Sequence, residues 1–135
     1  MKKLSIILFF LINSLFIFGQ IDSLAEKEVI TKICSGKWYI QYVGYDDIKE
    51  YEEEFSDWLN FYIDGTIDIS EEDGFVKTQY SYNHIKKTIK YGEDKKTAIW
   101  IIDKLNDQEL TLKQNTKDKV IFIVCNKTAR KSVNN

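Results

Sequence analysis

From Gly36 onward the apolar residues of this chain fall at every second position, and they keep doing so, turn after turn, as far as Cys125. A period of two marks an extended strand with one face in a core. Polar gaps divide the run into eight predicted strands, at 37–45, 55–62, 66–71, 75–82, 85–91, 97–104, 109–114 and 119–126. The gaps carry turn residues: Asp64-Gly65, Glu71 to Gly74, Gly92 to Lys96, Asn106-Asp107 and Asn115 to Asp118. Connections this short join antiparallel neighbours in a meander.

Slipping a register by one residue exchanges the two faces of a strand, so turn lengths can be checked against apolar patterning. A three-residue loop at Ile63-Asp64-Gly65, with glycine left-handed, matches Phe61 to Ile67 and Leu59 to Ile69. A four-residue Glu71–Gly74 turn then turns Val76, Thr78, Tyr80 and Tyr82 inward. A tight turn at Asn83-His84 continues the face to Ile85, Ile89 and Tyr91, and a five-residue loop to Ile99 and Ile101. The later turns add Leu110 and Leu112, then Ile121, Ile123 and Cys125; in the first strand Trp38, Ile40 and Tyr42 are the inward set. The fold class this predicts is all-β: an eight-stranded antiparallel up-and-down barrel, preceded by a short N-terminal helix. Closure removes the edges of an open sheet. A sandwich of two four-stranded sheets is the alternative.

The N-terminal helix and its lead-in are read at 20–35. Ser23 and Glu26 form a capping-box pattern, Ala25, Val29 and Ile33 share one stripe, and Ser35-Gly36 ends it. Ahead of it, residues 1–19 have two lysines, an apolar run and a small residue at Gly19, the order of a secretory signal peptide cut before Gln20. A membrane anchor is the rival reading, since the run is nearly long enough to span a bilayer, but Asn13 and Ser14 interrupt it. Export to the periplasm or outside the cell follows from cleavage, with no stable membrane span left. Without Lys2 and Lys3 the 19 basic side chains become 17 against 21 acidic ones, a net charge near −4, and no basic stripe suits nucleic acid. The barrel is assigned to 36–127 and a tail to 128–135.

Gly36, Lys37 and Trp38, opening the first strand after a helix, together with "NFYIDGTIDI" and "IWIIDKLNDQELTL", resemble the lipocalin-like (calycin) family, in particular short secreted bacterial lipocalin-like domains. The resemblance implies a barrel with a basic side chain, here Arg130 or Lys127, laid over Trp38. The family's long helix after the barrel is not expected within the short tail at 128–135.

Catalytic candidates are few. The one histidine, His84, falls in a turn, and neither a metal set nor a catalytic triad can be built around it. No enzyme activity, cofactor or metal is expected. The acidic run Glu50 to Phe55 reads as a solvated loop at the barrel's mouth. The inward aromatics Trp38, Tyr42, Phe61, Tyr80, Tyr82 and Tyr91, with Thr78, suit a cavity for a small apolar ligand with one polar group. A solid core is the competing reading. The function expected is therefore an exported, non-catalytic binder of a small hydrophobic molecule. The alternative is a protein-interaction module, such as an inhibitor or envelope-complex subunit, acting or self-associating through an outer wall that includes Trp100 and Phe122.

Cys34 precedes the first strand and Cys125 ends the last, and these run side by side in a closed even-stranded barrel. In an oxidising compartment a Cys34–Cys125 disulfide is expected, with a stabilisation of about 4–5 kcal/mol in the chain-entropy model.

Overall fold

The computed structural model of the chain describes residues 24–46, 48–50, 57–93, 95 and 97–129. The expected signal peptide, Ser23, the acidic run around 51–55, Arg130 and the end of the tail lie outside the described residues. A helix, α1, covers residues 24–33. Its last turn closes as the Cys34 N–H donates to Ile30 O at 2.9 Å. Gly36 follows at φ +123, a backbone conformation that side-chain-bearing residues rarely adopt, and hands the chain to the first strand.

Among the described residues nine strands follow: β1 (Lys37–Tyr45), β2 (Ile48–Glu50), β3 (Trp58–Phe61), β4 (Thr66–Glu71), β5 (Gly74–Asn83), β6 (Thr88–Tyr91), β7 (Ala98–Leu105), β8 (Glu109–Asn115) and β9 (Val120–Asn126). All pairings are antiparallel, and from β3 to β9 each strand pairs with the next. The sheet closes where β1 pairs with β9 from Tyr39 to Tyr45. On its other edge β1 pairs β3 at Lys37–Tyr39 and β2 at Val43–Tyr45. Those two short pieces share one position in the wall. The result is a closed eight-stranded barrel with one stave in two parts.

Most of the face assignment holds. Gly65, at φ +88, closes the three-residue loop, and Leu59↔Ile69, Phe61↔Ile67 and Ile69↔Val76 are the observed pairs. Three assignments do not hold. The turn after β5 takes four residues rather than two, so β6 starts at Thr88 and Ile85 is 94% exposed. A β-bulge at Gln41 turns Tyr42 to the outer wall, opposite Val124, and Val43 inward, opposite Ile123. Finally, Trp100 pairs with Ile89 and Ala98 with Tyr91, so Trp100 points inward at 7% exposure while Ile99 is 54% exposed. The β6–β7 connection is one residue longer than the five read from the sequence. A second bulge, at Asp103, restores the phase before Leu105↔Leu110. The two departures cancel, which is why Leu110 and Leu112 still fall inside.

Trp38, Phe61, Ile67, Ile89, Leu110, Leu112 and Cys125 form the core, with Ile33 of α1 packed against them. The Trp38 indole N–H donates to Ile33 O at 2.8 Å, tying α1 to the barrel end.

Candidate functional site

Burial of the inward face changes along the barrel axis. At the end covered by α1, Trp38, Phe61, Ile67, Ile89, Leu110, Leu112 and Cys125 are all within 1% of complete burial. Toward the other end Ile69, Tyr91, Ala98, Ile121 and Ile123 pack against this floor but are only partly buried. Val76, opposite Ile69 on the same face, is 43% exposed. The interior is therefore filled by a solid floor, and its inward face is less completely buried toward the end away from α1.

The expected lining divides along that boundary. Trp38 and Phe61 belong to the floor and offer no surface to a ligand. Tyr80 and Tyr82 stand at the α1 end with committed hydroxyls. Tyr80 donates to Tyr62 O at 2.8 Å and meets Cys34 Sγ at 3.3 Å; Tyr82 shares a 3.0 Å hydrogen bond with His84 Nδ1. Burial, reinforced by the Cys34 thiol, pushes Tyr80 well above the usual phenol range. Tyr91 accepts from the Trp100 indole N–H at 3.1 Å and stands on the inward face opposite Tyr80, and Thr78 on the same face stands opposite Ile67. Tyr42 lies outside the barrel.

The two cysteines are free. The expected disulfide is corrected by register: Cys125 stands opposite Ile40, six residues beyond Cys34 along the chain. A disulfide needs Cα atoms within roughly 4.4–6.8 Å. Cys34 turns instead to Tyr80, and Cys125 is wholly buried between Ile40 and Leu110. Burial raises both thiols, Cys125 to about 12, so neither is a ready nucleophile.

The outer wall expected to present Trp100 and Phe122 as one apolar surface is also revised. Trp100 is inside, leaving Phe122 with Tyr42, Val124 and Gly44 in a groove of about 450 Å³ across β7, β8, β9 and β1. Lys104, Glu109 and Thr111 bound it on one side and Asp46 on the other. A second crevice, about 340 Å³, lies between α1 and the barrel, between Val29 and the pair Ile102 and Leu105, with His84 and Lys87 at its margin. The groove escaped sequence reasoning; its one visible signal is Gly44, a glycine in the middle of a strand.

Lys127, one of the two basic residues expected over Trp38, takes that place at 3.8 Å from the ring centre. Among the described residues no helix is long and apolar enough to cross a membrane, and no group of three His, Cys, Asp or Glu side chains could hold a metal ion. Compared with known proteins, the chain matches no family model, no curated protein and no solved structure.

Proposed function

We propose that the protein is an exported, non-catalytic barrel of the lipocalin-like type that binds a small apolar molecule in a cup above its floor. One observation carries this reading: the completely buried inward residues gather toward the α1 end, whereas Ile69, Ile121 and Ile123 on the same face toward the other end are only partly buried and Val76 is exposed. A core that only needed to be filled has no reason to stop halfway. Burying a ligand of modest size there recovers roughly 25 cal/mol for each Å² of apolar surface removed from water. The eight-stranded closed meander after a short helix, and the ammonium laid over Trp38, support the lipocalin-like assignment. The apolar segment at 4–18 supports export. The absence of a low-pKa thiol, and a single histidine already bonded to Tyr82, favour binding over catalysis.

The test is titration with an uncharged fluorescent probe such as N-phenyl-1-naphthylamine, beside the variants Ile121→Trp and Ile69→Trp, which fill the cup. Micromolar binding that weakens tenfold or more in both variants is expected. No binding at tens of micromolar, or binding unchanged in both, would rule the cup out.

A further inference from the structure

The outer groove is built by departures from regular strand geometry, and all of them converge on it. In β1 the bulge at Gln41 aims Tyr42 outward; without it, the alternation from Trp38 and Ile40 would carry Tyr42 into the barrel. In β7 the bulge at Asp103 does the same for Lys104, which the alternation from Trp100 and Ile102 would otherwise bury. Between them, Gly44 stands opposite Phe122 and contributes no side chain, its backbone buried beneath Tyr42, Phe122 and Ile48 O. A Cβ built at Gly44 would rest 3.7 Å from Phe122 Cβ and 3.9 Å from the Tyr42 ring, so the missing side chain is not required by crowding. Bulges and mid-strand glycines each weaken a sheet and recur beside binding sites, where they re-aim side chains or let a partner approach closely. Three in one place is a costly way to build a plain wall.

We propose that this groove binds a small organic cation, an ammonium carried on an aromatic or compact aliphatic body. Its volume of about 450 Å³ suits a small molecule. Tyr42, Phe122 and Val124 supply apolar walls for the body. Lys104 and Glu109 neutralise each other as an ion pair, which leaves the Asp46 carboxylate as the remaining charged side chain among the described lining residues, with Lys113 Nζ 5.9 Å from the Phe122 ring centre at its margin. Asp46 Oδ1 accepts from the Val120 N–H at 3.2 Å, so the carboxylate is held at the groove's edge. Aromatic faces beside a carboxylate favour a cation over an anion of the same shape. The chain uses the same pairing nearby, with Lys119 Nζ 4.3 Å from the Tyr45 ring centre.

Three probes of matched shape test the proposal by amide chemical-shift mapping: 2-phenylethylammonium, 2-phenylethanol and 3-phenylpropionate. The cation should move the Gly44, Phe122 and Val124 amides and bind at least fivefold tighter than the alcohol, with the carboxylate weakest. Gly44→Leu fills the groove at a position of ordinary backbone conformation and should abolish these shifts while leaving the melting temperature and binding in the cup unchanged. Asp46→Asn keeps the acceptor for Val120 and should reduce the cation to the affinity of the alcohol. Equal binding of all three probes, shifts that survive Gly44→Leu in the folded variant, shifts confined to Ile69 and Ile121 in the cup, or no response at 10-millimolar order would each overturn the proposal. Because the cup is read by a different probe and different residues, either site can fail alone.

Discussion

Lys127 Nζ lies 3.8 Å from the centre of the Trp38 ring and 3.3 Å from Gly36 O, so one ammonium binds the end of β9 to the start of β1. The contact stacks a cation on a ring already fixed by its hydrogen bond to Ile33. Lys127→Ala should therefore lower stability by about 1 kcal/mol, while Lys127→Arg should restore it. Urea midpoints of the two variants against the parent check this; equal midpoints for all three would show that the ammonium contributes nothing.

Intact mass should be the same with and without reductant, because the cysteines are unpaired. Their burial also predicts an alkaline slope. An unfolded cysteine ionises near 8.5, whereas Cys125 holds its proton to about 12. Its contribution is thus complete below pH 8.5 and is lost as pH rises toward the folded value. Between pH 7 and pH 9.5 that loss is about 1.4 kcal/mol. Cys34 is raised as well and adds a loss of the same sign. Replacing Cys125 with alanine should reduce the pH-dependent loss by that amount, whatever the cavity costs at both pH values.

Trp100 and Phe122 should respond oppositely to charge. Trp100→Glu places a carboxylate among Ile89, Tyr91 and the floor and should unfold the barrel, since an unpaired buried charge costs several kcal/mol. Phe122→Glu faces the groove and should leave a cooperative melt. Circular dichroism melts decide between this and an outward Trp100, which would make both variants fold.

Asp68, 4% exposed, is the one buried charged residue of the described core. The Tyr62 hydroxyl donates to Oδ2 at 2.7 Å, and Lys77 Nζ sits 2.9 Å from Oδ1 in an ion pair that falls short of an aligned hydrogen bond. Burial opposes the charged form, but the two partners outweigh it and hold the carboxyl below its usual range. A depressed folded value gives stability that is present above the unfolded pKa of about 3.9 and disappears as pH falls through the folded one. Asp68→Asn should accordingly flatten the acid limb of the stability profile below pH 4, measured by thermal melts.

The meander, the loop at Asp64-Gly65 and most of the inward face were legible because turn chemistry and a period of two constrain each other. What failed was whatever adds one residue without a turn signature. The spacing of three from Ile102 to Leu105 was the only trace of the bulge at Asp103, and Val43 following Tyr42 did not say which of two apolar residues turned inward. Side-chain commitments were equally hidden: nothing local to Tyr80 foretells that it meets Cys34, 46 residues away. The graded filling of the interior is a property of all eight staves together, and no single strand carries it.

The seam sets the order in which this wall can be assembled. Each hairpin from β3 to β9 joins strands only a turn apart, but Tyr39 must find Asn126 across nearly the whole barrel sequence. Loop-closure entropy falls almost entirely on that last pairing, so rapid zippering of the meander should precede a slow closure. Until it happens, β1 and β9 are two unsatisfied edges on one chain, each able to pair with the opposite edge of another molecule. Concentration during refolding, more than the strength of the finished core, then decides between a closed monomer and strand-exchanged assemblies.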